Sequence, residues 1–258
     1  MNPADINVPE IRIVGVTKRY GTGNAVLESI DLTVPKKEFV SLIGPSGCGK
    51  STILKLISGL TFPTSGAIQV EGMTPQNARE IISYIFQDAT LLPWRTVKNN
   101  IALALELERV SSDLREKKIA SLLELVGLKH VADSYPRELS GGMKMRVSIA
   151  RALATNPRLL LLDEPFAALD EMSRDRLNEE ILRLRGEQDW TAVFVTHSVS
   201  EAVFLSDRIL VLAPNPGRVY AEFAVELPAP RTSAMRTTPE FEAIVGRVSH
   251  ALRGTLSQ

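Results

Sequence analysis

The chain has 258 residues, 44% of them hydrophobic, enough for one large α/β domain or a core carrying a smaller attached lobe. Its 30 basic and 30 acidic side chains cancel, so there is no net positive field to hold a nucleic-acid backbone, and no nucleic-acid partner is expected. The single cysteine, Cys48, excludes an internal disulfide and a cysteine-based metal cluster, and the 3 histidines are too scattered to form a ligand set.

Residues 1–10 carry neither the basic segment nor the apolar run of a secretory leader, and no stretch approaches the roughly 18 apolar residues that span a bilayer. A cytosolic chain is expected. Residues 11–16 and 38–43 are short runs of β-branched and apolar residues that read as strands buried on both faces. Gly44, Pro45, Ser46, Gly47, Cys48, Gly49, Lys50, Ser51 and Thr52 follow at once and fit G-x-x-x-x-G-K-[ST] between a strand and a helix. Glycines there let successive backbone N–H groups turn toward phosphate oxygens, and the next helix points its positive end at the same anions. In this reading Lys50 reaches the β- and γ-phosphates and Ser51 offers its hydroxyl to Mg2+. Thr52 supports the loop or touches the α-phosphate, and Cys48 fills space. Ile53, Leu54, Ile57 and Leu60 then recur at helical spacing.

Strand signals vanish between 91 and 138. Two helical stretches, 97–107 and 114–126, occupy that interval and stop near Gly127, as an inserted helical lobe does. Leu139-Ser140-Gly141-Gly142-Met143 opens a further helix with Met143, Val147, Ala150 and Ala154 on one face, giving a second helix start able to hold phosphate. One nucleotide has no use for two such cradles in one chain. The economical arrangement is a two-fold dimer in which the cradle of one protomer closes over the nucleotide held by the loop of its partner.

Four leucines, 159–162, lead straight into Asp163 and Glu164, the pattern of a buried strand whose carboxyl end opens onto a site. Asp163 is placed to hold the hydration shell of Mg2+, and Glu164 to polarise a water for attack on the γ-phosphate. These motifs alone do not separate hydrolysis from phosphoryl transfer by a kinase. Leu177, Ile181 and Leu184 mark another helix, and 192–196 another strand. Pro214, Pro216, Pro228 and Pro230 then interrupt the chain before a last helix, capped by Thr238 with Pro239 in its first turn. Phe241, Ile244, Val245, Val248 and Leu252 share a face of that helix, which is expected to pack back on the core.

Over residues 11–219 these motifs, in this order, resemble an ATP-binding-cassette ATPase. Residues 44–52 match its Walker A loop, 139–143 its signature and 159–164 its Walker B strand. Phe86-Gln87-Asp88 is similar to the Q-loop, Ala168-Leu169-Asp170 to the D-loop, Val195-Thr196-His197 to the switch-histidine segment, and Tyr20 to the aromatic that stacks on adenine. The chain departs from the pattern at Met143, where glutamine is usual, and at Ala167 and Ala168, where a serine often precedes Leu-Asp.

The resemblance implies a P-loop NTPase cassette of α/β class with a mostly parallel core sheet, an N-terminal antiparallel β region and an inserted helical lobe. One ATPase domain then covers 1–258, with a core at 10–90 and 156–220, the lobe at 91–155 and a C-terminal extension at 221–258. ATP and Mg2+ are the implied cofactors. Glu164, His197 and Gln87 take catalytic roles, Ser51, Gln87 and Asp163 face the metal, and Ser140, Gly141, Gly142 and Asp170 act across a homodimer. The further implied partners are transmembrane permease subunits and, indirectly, an extracytoplasmic substrate-binding protein, with the chain peripheral at the cytoplasmic face of the plasma membrane. The short interval between 52 and 139 disfavours DNA-repair cassettes, which insert a long coiled coil, and one cassette per chain disfavours translation factors. Residues 87–97 and 214–219 are similar to importer cassettes of the nitrate, sulfonate and taurine group. Importers of thiamine-precursor pyrimidines, and soluble cassettes acting on a protein or cluster-assembly partner, are the alternatives.

Overall fold

The structure is a computed structural model and describes residues 10–188 and 190–255. The expected lack of a leader concerns residues 1–9, outside the described residues. In chain order the elements are β1 (Ile11–Arg19), β2 (Ala25–Val34), β3 (Phe39–Ile43), α1 (Lys50–Ile57), β4 (Ser65–Val70), β5 (Ile82–Ile85), α2 (Val97–Leu107) and α3 (Ser112–Leu125). They continue with α4 (Gly141–Leu153), β6 (Leu159–Asp163), α5 (Glu171–Gln188), β7 (Thr191–Val195), α6 (Val199–Leu205), β8 (Arg208–Ala213), β9 (Arg218–Ala224) and α7 (Pro239–Gly254).

Strands β3, β6 and β7 are buried at every residue, which is why their sequences are near-continuous apolar runs and not alternating ones. They sit inside a six-stranded sheet of order β5-β6-β7-β3-β8-β9, parallel throughout except for the antiparallel edge strand β9. Alternate side chains of one strand supply two cores, one on each face. Leu160 and Leu162 join the core shared with α2, α4, α5, α6 and α7, whereas Leu159 and Leu161 join the one shared with α1 and the antiparallel sheet. All four leucines are fully buried, each contributing about 1.5–3 kcal/mol relative to exposure.

The second sheet, of order β2-β1-β4, is antiparallel. Along β1 the buried residues Ile11, Ile13 and Val16 turn toward α1, and the residues between them face outward. Helices α2, α3 and α4 lie together between β5 and β6 in sequence. Thr96 caps α2 by accepting the Asn99 N–H at 3.4 Å. Buried Asn100 then ties down the preceding loop: its Nδ2 donates to the carbonyls of Leu92, Arg95 and Thr96, and its Oδ1 accepts the Leu92 N–H at 2.8 Å.

The apolar periodicity after Lys50 overshoots the helix it marks. Helix α1 ends at Ile57, Gly59 takes a left-handed φ of 70°, and Leu60 stands exposed beyond the helix instead of on its buried face. Helix α7 begins as its sequence predicts, with Thr238 accepting the Phe241 N–H at 3.4 Å, and it buries Phe241, Ile244 and Val248 against α6 and β8. Among the described residues no helix is long and apolar enough to cross a membrane.

Candidate active site

Strand register brings the motifs to one edge. In the parallel sheet Leu42 lies opposite Val195, Val195 opposite Asp163, and Leu162 opposite Ile85. The chain therefore leaves β3 at Gly44, β6 at Glu164, β7 at Thr196 and β5 at Phe86 from the same carboxyl edge, where open α/β sheets place their sites.

The loop over 44–50 is shaped by close backbone packing. A Cβ on Gly44 would stand 2.7 Å from both the Cys48 Sγ and the Leu212 carbonyl, and one on Gly49, at a left-handed φ of 96°, would stand 2.4 Å from Leu27 Cδ2. Only glycine fits there. Gly49 gives α1 no side-chain cap, so the first-turn N–H groups of α1 are open to an anion. The Lys50 ammonium is buried and donates to the carbonyls of Gly44 at 2.8 Å and Pro45 at 3.0 Å. Cys48 is fully buried, and burial pushes its thiol above the ordinary range despite the Lys50 charge beside it, as suits a space-filling residue. Thr52 is partly buried in the first turn of α1.

Ser51 Oγ donates to Asp163 Oδ1 at 2.8 Å, which joins the first turn of α1 to the end of β6. Tyr84, on β5, donates its hydroxyl to Asp163 Oδ2 at 3.1 Å. Burial raises the Asp163 carboxyl above the usual carboxylate range, against the opposing pull of these two donors. The Tyr84 phenol is raised as well, by burial and by the Asp163 charge. Glu164 follows in a left-handed backbone, φ 49°, held there by its N–H on the Val195 carbonyl at 3.0 Å. For a residue with a side chain that conformation costs about 1–3 kcal/mol and is typical of functional turns. His197 Nδ1 lies 3.5 Å from Glu164 Oε2. The loop carrying His197 is anchored by Thr196, whose Oγ1 donates to buried Glu201 at 2.6 Å, and by Ser198, which caps α6.

The remaining sequence-predicted residues fall into separate places. Gln87 is exposed just past β5, and Tyr20 is half exposed at the end of β1, its ring centroid 4.6 Å from Lys18 Nζ. Ser140 and Gly141 are exposed at the start of α4, where the Ser140 hydroxyl accepts the Met143 N–H at 3.2 Å. Asp170 is exposed and accepts the Ser173 N–H at 2.9 Å, which holds its carboxyl below the usual range. A Cβ on Gly142 would lie 3.2 Å from the Ala168 carbonyl, so 139–143 and 168–170 pack against each other within one protomer. Among the described residues no hydrogen bond joins Ser140 or Asp170 to 44–52. Sequence reasoning missed Tyr84, whose partner is set by the non-local pairing of β5 with β6, and Leu27, which presses on the phosphate-loop glycine from another sheet.

A family model described as ABC transporter matches residues 27–167, more than half of the chain. The chain belongs to the ABC transporter family. Relatives of this cassette include the uncharacterized ABC transporter ATP-binding protein MJ0412 of Methanocaldococcus jannaschii, 42% identical over 90% of this chain and 87% of that protein. The bicarbonate transport ATP-binding protein CmpC of Synechococcus elongatus is 48% identical over 82% of this chain and 32% of its own length. The nitrate import ATP-binding protein NrtC of the same organism is 47% identical over 83% and 33%. The cassette thus spans about a third of the length of those two proteins. Among solved structures, a dimeric post-hydrolysis state of the ATP-binding cassette MJ0796 bound to ADP and Pi superposes with a TM-score of 0.78 at 33% identity, covering 84% of this chain and 100% of that one. The cassette has the P-loop NTPase fold, binds ATP and is an ATPase, and cassettes of its kind dimerise.

Proposed function

We propose that this cassette is the ATP-hydrolysing subunit of an importer for a small anion such as nitrate, bicarbonate or a sulfonate. It acts as a homodimer beneath two permease subunits, peripheral at the cytoplasmic face of the membrane, with cargo delivered by an extracytoplasmic binding protein. The observation that carries this reading is the split between two half-sites. Lys50, Ser51, Asp163, Glu164 and His197 meet on one sheet edge, while Ser140 and Gly141 stand exposed at the start of α4, with no hydrogen bond to them among the described residues. The anion class follows from the names of CmpC and NrtC.

The donor set fits magnesium. Ser51 Oγ and Asp163 offer hard oxygens side by side, few enough that phosphate and water must complete the shell, which is how Mg2+ is usually bound. When bound, the ion neutralises charge on the phosphate oxygens. Lys50 exchanges its loop carbonyls for phosphate oxygens, and the N–H groups of 46–51 hold the same anion. Glu164 accepts a proton from water as that water attacks the γ-phosphorus and the bond to the ADP oxygen breaks, leaving ADP and phosphate. His197, 3.5 Å from Glu164, holds the water and γ-phosphate in line, and Gln87 senses the filled site. Tyr20 stacks on adenine. Ser140, Gly141, Gly142 and Asp170 meet the nucleotide of the other protomer, so closure depends on ATP.

The division into a core at 10–90 and 156–220, a lobe at 91–155 and an extension at 221–258 belongs to this proposal. Trp94, 71% exposed on the loop pinned by Asn100, presents a rigid apolar surface for a short permease helix, whereas Leu91 is partly buried against the core. Reconstitution into vesicles with permease subunits and an extracytoplasmic binding protein tests the whole. The expected outcome is ATP turnover that rises when anion-loaded binding protein is added. Turnover indifferent to the membrane subunits, with purification alongside soluble partners alone, would sink the transport reading.

A further inference from the structure

The Asp163 carboxylate is held at both oxygens by hydroxyls from different elements. Ser51 on α1 donates to Oδ1 at 2.8 Å, and Tyr84 on β5 donates to Oδ2 at 3.1 Å. In the β5–β6 register Tyr84 stands opposite Leu161, two residues before Asp163 on the same face of the sheet, and side chains in strands lean along the strand. The phenol therefore reaches the carboxylate at the strand end. Its ring is fixed in turn by stacking on Phe86, centroids 4.2 Å apart at 22°.

The two hydroxyls are not equivalent. On the reading given under Proposed function, Ser51 offers an oxygen lone pair to the cation when Mg2+ and nucleotide are bound, and keeps its hydrogen on Asp163 Oδ1. Tyr84 donates to the other oxygen, Oδ2, and has no part in holding the ion itself. We propose that Tyr84 is a positioning residue that sets the orientation of Asp163 for magnesium, in the way that outer partners of metal-ligating carboxylates fix their geometry and tune affinity. A tyrosine hydroxyl suits this task because it donates to the ionised carboxylate without neutralising it.

The inference rests on the assignment of Asp163 to the metal, and the test separates the two. In a Glu164→Gln background, which prevents turnover, a fluorescent ATP analogue is bound to EDTA-treated protein and titrated with MgCl2. Tyr84→Phe keeps the ring and its stack and removes only the hydroxyl. The expected result is a Mg2+ midpoint raised by about tenfold, at the lower end for a lost outer partner, with metal-free nucleotide affinity and melting temperature unchanged. Asp163→Asn serves as the reference. A shift with Asp163→Asn but none with Tyr84→Phe overturns the role of Tyr84 and leaves the site standing. No shift with either overturns the assignment of Asp163 itself. Loss of metal-free affinity together with a lowered melting temperature in Tyr84→Phe overturns the proposal in favour of plain packing.

Discussion

Two helix starts in this chain carry glycine beside a hydroxyl residue, and they differ in what surrounds them. At α1 the chain itself demands the glycines: Gly44 is pressed by Cys48 and Leu212, and Gly49 by Leu27 at a backbone angle that side chains avoid. At α4 a Cβ on Gly141 would meet nothing within 4 Å, and Gly141 is exposed. The first loop is walled in by its own protomer, with Lys50 already on the loop carbonyls and Ser51 already on Asp163. The second is open at Gly141, which has no internal reason to be glycine, whereas Gly142 is pressed by the Ala168 carbonyl. A glycine that its own fold does not require suits the contact proposed for it with the nucleotide of the partner protomer.

The sharpest way to break this comparison is on the walled side. Glu164→Gln is expected to lower ATP turnover by about 10²–10⁴, the range for a lost general base, while an ATP-bound dimer accumulates on size-exclusion chromatography. Unchanged turnover would remove Glu164 from the mechanism. Lys50→Ala comes next, with nucleotide affinity falling by about a hundredfold in a fluorescence titration, because the charge-assisted donor to phosphate is gone. On the open side, Gly141→Asp is expected to leave the melting temperature unchanged or slightly raised, since an acid in a first helical turn is favourable. The same variant should weaken ATP-driven dimerisation by at least about tenfold, since its charge faces phosphate. A variant that instead loses its fold would show that Gly141 is needed internally after all.

The smallest expected effect lies outside both half-sites. Glu10 at the start of β1 is buried near Glu71, and burial followed by the Glu71 charge pushes its carboxyl up to about 7. A carboxyl raised on folding binds its proton more tightly in the native state, so its contribution to stability is full below about 4.5 and is lost as pH rises through about 7. Glu10→Gln should therefore gain melting temperature relative to the parent by about 2–4 °C more at pH 8.5 than at pH 5. Equal shifts at both pH values would show that Glu10 does not titrate in this window. Nucleotide binding should be untouched, which separates this cluster from the site.

What the sequence determined by itself is local. The spacing of Gly44, Gly49, Lys50 and Ser51, the four leucines running into Asp163 and Glu164, and the caps at Ser140 and Thr238 all act within a few residues of chain. Their geometry follows from turn and capping chemistry that travels with the segment. The chain's periodicity misled where a local breaker, Gly59, stopped α1 short of Leu60. It misled again in β1, read as buried on both faces, where Arg12 and Val14 are exposed because the antiparallel sheet is covered on one side. Tertiary structure decided the rest, because it depends on which strands pair. Parallel pairing of β5, β6, β7 and β3 places Gln87, Glu164, His197 and Lys50 on one edge, although 110 positions separate the first from the third. The same pairing puts the Tyr84 hydroxyl on Asp163, and packing of α4 against the turn after β6 sets Gly142 on Ala168. Contacts between residues far apart in sequence leave no periodic mark on either segment, so only the folded chain reveals them.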